Sequence, residues 1–302
     1  MPGPLSAFAL TPLDGDAVDE RGFTALVERI AAAGADSVGA LGSTGSYAYF
    51  DRTQRARLAR LAVAAAGDVP VLVGVGAVST PEVLRVAEDA QRAGAAALLL
   101  APVSYQPLTA EEVLGLYEDV TAEVSVPVCV YDNPATTGFT FTDELRAQVA
   151  ALPGVTSLKL PGVPADPGAA RAWVAGLRAA VPRHVTLGVA GDAHAVRGLR
   201  AGCDTWYSVI AGVLPRTCVA LTAAVRDGDE EQVAAISARL EPWWALFAAH
   251  GSLRVVAALA EQSGLVARAG LPRPLRDLPA AGRRAVAGLL AAGGPGDGFD
   301  RG

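Results

Sequence analysis

The sequence predicts a (β/α)8 barrel with a C-terminal helical extension, on three observations. Strand-like and helix-like segments alternate with a spacing of roughly 25 to 35 residues, the rhythm of repeated βα units. Eight strand-like segments fall in this series, the number at which such a sheet closes on itself. Near-continuous apolar runs such as AALLLAP and VPVCVYDNP suit parallel strands covered on both faces. A doubly wound open sheet is the competing architecture, but no GxGxxG fingerprint or P-loop follows any strand.

In order, the strands are expected at 6–10, 37–41, 69–75, 96–101, 126–131, 155–160, 185–189 and 205–210. Helices between them open at Asp51, at Thr80 followed by Pro81 and Glu82, at Thr109 with Glu112 as a capping box, and at Thr142 before Asp143. Several helices end near a glycine, at Gly34, Gly67, Gly94 and Gly202. From about Gly228 the strand signal stops and three helical patterns follow, with a Gly-rich tail from Gly293 that is expected to fray. No Ser/Pro linker divides the barrel, residues 1–227, from the C-terminal helices, residues 228–302, so the two read as one structural unit.

Composition narrows the function classes. With 302 residues, 51% hydrophobic and 19% charged, the chain can bury a substantial core, which excludes disorder as its dominant state. No stretch approaches the ~20 apolar residues of a spanning helix, so no membrane partner is expected. The first residues, MPGPLSAFALTPLDGD, carry no basic leader and run into acidic residues, and a cytoplasmic location is expected. Net charge is −6 with arginines scattered singly, which argues against a nucleic-acid partner. Cys129, Cys203 and Cys218 lie far apart in apolar surroundings and read as reduced core residues. His184, His194 and His250 are equally dispersed, so neither a metal nor a cofactor is expected.

Of the 25 basic residues only Lys159 is a lysine, and the other 24 are arginines. Arginine replaces lysine on a solvated surface, but it cannot lose its proton and attack a carbonyl to form an imine. Genomic base bias would also produce an arginine-rich chain, so the neighbourhood of Lys159 has to carry the argument. In a barrel the active site lies at the C-terminal ends of the strands. There the sequence places Gly42-Ser43-Thr44-Gly45 after the second strand, Tyr131-Asp132-Asn133-Pro134 after the fifth, Lys159 at the end of the sixth, and Gly191-Asp192 after the seventh. Within SLKLPG an ammonium is poorly solvated and its pKa is depressed, as an imine-forming lysine requires. A structural alternative is an ion pair with Asp192. Tyr131 can move a proton at a substrate or can fill the barrel mouth. The GSTG turn can bring backbone N–H groups close to a carboxylate, although such turns are common. Asp192 is both a hydroxyl-binding and an N-cap candidate. His194 reads more readily as a surface helix residue, and Trp206, Trp243 and Trp244 as packing residues.

With these residues in place the chain resembles the dihydrodipicolinate synthase and N-acetylneuraminate lyase family, class I pyruvate aldolases on a (β/α)8 barrel. The resemblance rests on GSTG at 42–45, YDNPATTG at 131–138, SLKLPG at 157–162, GCDTWYSVIAGVLP at 202–215 and LPRPL at 271–275, in the family's order. It implies that Lys159 forms a Schiff base with pyruvate or another 2-keto acid and that Tyr131 shuttles protons. It further implies that Ser43, Thr44 and Gly45 form the carboxylate turn, with Thr44 relaying protons from Tyr131, and that Tyr207 lies beside the lysine. A homo-oligomer, dimer or tetramer, is implied as well.

The departures from the family pattern bear on the second substrate, an aldehyde. Thr136 stands where the synthases carry an arginine for the substrate carboxylate, and a threonine hydroxyl cannot replace a bidentate guanidinium. Val103-Ser104 replaces a tyrosine pair, with Tyr105 one place later as the candidate to complete the relay. Asp192 falls where lyases of the family hold hydroxylated substrates. The leading expectation is therefore a Schiff-base lyase or aldolase whose second substrate is not aspartate semialdehyde. Alternatives are a 2-keto-3-deoxy acid dehydratase or hydratase-aldolase using the same imine, a true 4-hydroxy-tetrahydrodipicolinate synthase, and a non-catalytic metabolite-binding homologue.

Overall fold

The computed structural model describes residues 3–293, so the expected fraying of the tail past Gly293 falls outside the described residues. Eight parallel strands close into a barrel: β1 (Leu5–Phe8), β2 (Ser37–Ala40), β3 (Val71–Gly74), β4 (Ala97–Leu100), β5 (Val128–Tyr131), β6 (Val155–Leu160), β7 (Thr186–Ala190) and β8 (Thr205–Ser208). Each pairs with its neighbours in sequence, and β1 closes the ring against β8 with Ser6 opposite Tyr207. Several strands are shorter than expected at their C-terminal ends, where the backbone leaves the sheet to form the loops over the barrel mouth.

Side chains alternate along each strand, as the pleat requires. Val128, Val130, Leu158 and Leu160 join the large core between barrel and helices, whereas Phe8, Cys129, Tyr131 and Tyr207 belong to a second, smaller cluster in the barrel interior. All three cysteines are buried free thiols, as their apolar settings predict.

Helices α1 (Glu20–Ala32), α2 (Arg52–Ala66), α3 (Thr80–Arg92), α4 (Ala110–Glu123), α5 (Asp143–Ala150), α6 (Pro167–Ala180), α7 (Ala195–Ala201) and α8 (Pro215–Asp227) alternate with the strands. The side chains of Asp51, Thr109 and Thr142 accept hydrogen bonds from the first turns of α2, α4 and α5. The cap expected at Thr80 falls instead on Ser79, whose side chain makes no capping bond: N2 is Pro81, without an N–H, and the N3 N–H of Glu82 donates to the Ser79 carbonyl at 3.0 Å. A short hairpin, Leu13–Asp14 paired with Ala17–Val18, was not anticipated; Gly15 turns it at φ +63°.

The C-terminal helices are α9 (Glu230–His250), α10 (Ser252–Gln262) and α11 (Ala280–Ala291). They pack on α8 and on one another, and the first turn of α10 and the connection after it bring Leu253 and Leu275 over the barrel mouth. Among the described residues no helix is long and apolar enough to cross a membrane.

Candidate active site

Parallel pairing sets Lys159 opposite Tyr131 on one side and Gly188 on the other. The lysine points into the barrel and is 5% exposed. Its Nζ lies 3.5 Å from the centroid of the Phe8 ring, 4.4 Å from that of Tyr131 and 5.5 Å from that of Tyr207. Among the described residues no carboxylate lies within ion-pair distance of it. Burial pushes the ammonium below the ordinary lysine range, and Tyr131, Cys129 and the more distant charge of Asp192 only partly oppose that.

Three glycines make room for this aromatic surround. A Cβ on Gly39 or Gly42 would come within 2.6 or 2.8 Å of the Phe8 ring, and one on Gly188 within 2.2 Å of Tyr207. Tyr207 is held from below, its hydroxyl 2.6 Å from Ser157 Oγ and 3.5 Å from Cys129 Sγ. It thus meets the lysine with its ring.

The Tyr131 hydroxyl donates to Ser43 Oγ at 3.1 Å and accepts from Asn133 Nδ2 at 2.8 Å. This corrects the relay expected through Thr44: the first hydroxyl of the GSTG turn, not the second, meets the phenol, while Thr44 is buried in the cavity wall. The turn is tightly wound. Leu41 and Ser46 both adopt φ +56°, which costs non-glycine residues roughly 1–3 kcal/mol each. Gly45 does not line the cavity; its carbonyl accepts from the Thr11 hydroxyl at 3.0 Å, which ties the turn to the segment after β1.

Two other expected substrate residues are placed elsewhere. Asp192 is buried, and its carboxylate accepts from Trp206 Nε1 (3.0 Å), the Ser208 hydroxyl (2.9 Å) and the N–H groups of Val209 (3.2 Å) and Ile210 (3.0 Å). It fastens the end of β8 rather than facing a substrate or pairing with Lys159. Burial raises its pKa to about 6 against the pull of those four donors. Tyr105 is 88% exposed and lies outside the cavity, because Val103 occupies the wall after β4. Thr136 does line the cavity, at its exposed edge. His194 packs over Gly162 and Gly191, with Nδ1 2.9 Å from Arg197, and takes no part in the wall.

Phe8, Asn133, Tyr47 and Arg55 were missed. Asn133 stands in a motif quoted for its tyrosine; the others had no signal, since an apolar ring in a strand and an arginine in a helix read as structure. Arg55, buried in α2, donates to the carbonyls of Gly76 and Gly74 at 3.0 Å each and lies 5.2 Å over the Tyr47 ring. Burial lowers its pKa to about 10, against the opposing pull of Tyr47 and Glu82.

Lys159, Tyr131, Ser43, Asn133, Tyr47 and Tyr207 line a cavity of about 560 Å3 that opens at the barrel mouth, with Phe8 beneath the lysine and Arg55 behind Tyr47. A free amine at its base, a phenol coupled to a second hydroxyl, and an aromatic surround form a site suited to imine formation and proton transfer at a carbonyl substrate.

The Dihydrodipicolinate synthetase family model matches residues 2–292. The chain is 33% identical over 283 residues to a 4-hydroxy-tetrahydrodipicolinate synthase of Halorhodospira halophila, covering 91% of this chain and 92% of that one. It is 32% identical over 279 residues to the enzyme of that name from Methylococcus capsulatus, covering 91% and 93%. A solved dihydrodipicolinate synthase structure from Agrobacterium tumefaciens superposes with a TM-score of 0.91 at 41% identity, covering 96% of this chain and 97% of that one.

Proposed function

The chain belongs to the dihydrodipicolinate synthetase family, whose members are carbon–carbon lyases acting through a lysine Schiff base, and on that premise we propose that it joins pyruvate or a related 2-keto acid to an aldehyde, or runs the reverse cleavage, through an imine on Lys159. The observation that carries this reading is the only lysine of the chain, buried without a carboxylate partner and set against Tyr131.

Free amine on Lys159 adds to the keto carbon, and the carbinolamine loses water after Tyr131 protonates its hydroxyl, which leaves a protonated imine. The imine draws electrons from C3, whose proton passes to the Tyr131 phenolate, restoring its hydroxyl and leaving an enamine. C3 then attacks the aldehyde carbon; the carbonyl electron pair moves to oxygen, which takes a proton from the Tyr131 hydroxyl. Water adds to the imine carbon and releases the 4-hydroxy-2-keto acid and the free lysine. Ser43 and Asn133 hold the phenol in place through these transfers. Dehydration of a 2-keto-3-deoxy acid would use the same lysine and tyrosine and differ in the bond that leaves.

The second substrate in this reading is not aspartate semialdehyde, which is supported by Thr136 in the cavity wall where the resemblance calls for an arginine. The names of the relatives favour the other reading, condensation with aspartate semialdehyde, and a coupled assay with that aldehyde distinguishes the two. We also read the enzyme as a cytoplasmic homo-oligomer. Tyr49, Val78 and Tyr105, exposed on the loops after β2, β3 and β4, support the assembly.

The test needs no aldehyde: in D2O the enzyme should exchange the methyl protons of pyruvate, followed by NMR, and Lys159→Arg should not. Absence of exchange by the wild-type protein would overturn the imine reading.

A further inference from the structure

The cavity over Lys159 is larger than a three-carbon keto acid fills; about 560 Å3 lies in the range that encloses much bigger ligands. Its outer wall comes from distant parts of the chain. Tyr47 and Tyr49 stand on the turn after β2, Val103 after β4, Leu253 in the first turn of α10, and Leu275 between α10 and α11. The polar groups beside this apolar and aromatic surface are the hydroxyls of Thr136 and Ser252, the Asn133 amide, which donates to Tyr131, and Asp132, whose Oδ2 is taken by Arg146.

Among the described residues Lys159 is the only cationic side chain in the wall, and as the imine it is occupied by the keto acid at the base of the cavity. The nearby guanidiniums are engaged elsewhere. Arg55 donates to the carbonyls of Gly74 and Gly76 behind Tyr47. Arg146 donates to Asp132 through Nε and a terminal nitrogen at 2.9 and 2.6 Å, and to Asp143 at 2.6 Å. A carboxylate entering this outer space would lose its water and find no cation in exchange, which is unfavourable. A hydroxyl-rich chain would find no free carboxylate from Asp192, whose oxygens already accept four bonds. An apolar body loses nothing on entering and releases water from the rings and leucines.

From this we infer that the outer half of the cavity is a subsite for an aldehyde with an uncharged, apolar body, aromatic or branched aliphatic, and that Leu253, Leu275 and the edge residue Thr136 determine this specificity. The inference rests on the imine chemistry proposed above and adds the class of the second substrate.

The experiment measures kcat/KM for the full-length enzyme with saturating pyruvate and a panel of benzaldehyde, 3-methylbutanal, succinic semialdehyde and glyceraldehyde, with pyruvate exchange in D2O run on the same preparations. The expected result is a preference of at least about tenfold for the two apolar aldehydes, the discrimination an apolar pocket typically gives. Leu253→Ala should raise KM for benzaldehyde severalfold. Thr136→Arg, at an exposed position where folding is not at stake, should shift the ratio toward succinic semialdehyde by about tenfold or more. Equal or better turnover of the charged or hydroxylated aldehydes, or exchange with no turnover of any aldehyde, would overturn the subsite. Absence of exchange itself would overturn the imine reading, and this subsite with it.

Discussion

Lys159, Tyr131, Phe8 and Tyr207, at the base of the cavity, stand on four barrel strands, and parallel pairing fixes the register of each. At its rim, Tyr49 and Thr136 stand on the turns after β2 and β5, Leu253 in the first turn of α10 and Leu275 on the connection after it. The base is rigid because its rings fill spaces that only glycine leaves open, at Gly39, Gly42 and Gly188. The rim is a set of single side chains that can change without disturbing the sheet. In the proposed reading, reaction chemistry and substrate choice are carried by separable parts of one cavity, which is how one barrel can serve many substrates.

The comparison breaks most sharply if a base residue can be lost cheaply. Tyr131→Phe keeps the ring beside Lys159 but removes the phenolic proton, and turnover should fall by about 10^2- to 10^4-fold, the usual contribution of a positioned acid–base group. Steady-state kinetics checks this, and a loss below tenfold would place the proton transfer elsewhere.

Asp192 is the next most consequential position. Asp192→Ala leaves an indole N–H, a hydroxyl and two backbone N–H groups without their acceptor at the barrel mouth, and should cost about 3 kcal/mol or more in urea unfolding. The pH dependence has a definite sign. The folded-state pKa of about 6 lies above the ordinary value of 3.8, so between these values the native state binds more protons than the unfolded one. This carboxyl therefore lowers stability as pH rises through that window and has no further effect above it. A variant lacking the carboxyl should lose that slope.

The smallest effect tests the aromatic surround. Phe8→Leu keeps Lys159 buried but removes the ring face nearest its ammonium, worth roughly 0.5–2 kcal/mol to the charged form. The midpoint of the pH–rate profile for pyruvate exchange should move down by about 0.4 to 1.5 units. A move upward would mean that water replaces the ring and that solvation governs the lysine.

The same division explains what could be read from the sequence. All eight strands were legible because buried parallel strands leave apolar runs bounded by glycine and proline. Lys159 and Tyr131 were legible because strand ends of a barrel face one space, and because a single lysine stands out among arginines. The turn of Ser43 and Thr44 was only half legible: two adjacent hydroxyls do not say which one the backbone turns toward the phenol. Asp192 was misread because its partners, Trp206 through Ile210, belong to the next strand and its exit. Leu253 carried no signal as a site residue, since a leucine of a C-terminal helix looks the same whether it covers a core or a cavity, and Leu275 was legible only as the end of the LPRPL motif.

The most direct test of the account is borohydride reduction of the full-length protein in the presence of pyruvate, followed by intact-mass and peptide analysis beside Lys159→Arg. One reduced pyruvyl adduct on Lys159, absent from the variant, is the predicted result. No adduct with pyruvate or with larger 2-keto acids, or an adduct on another group, would contradict it.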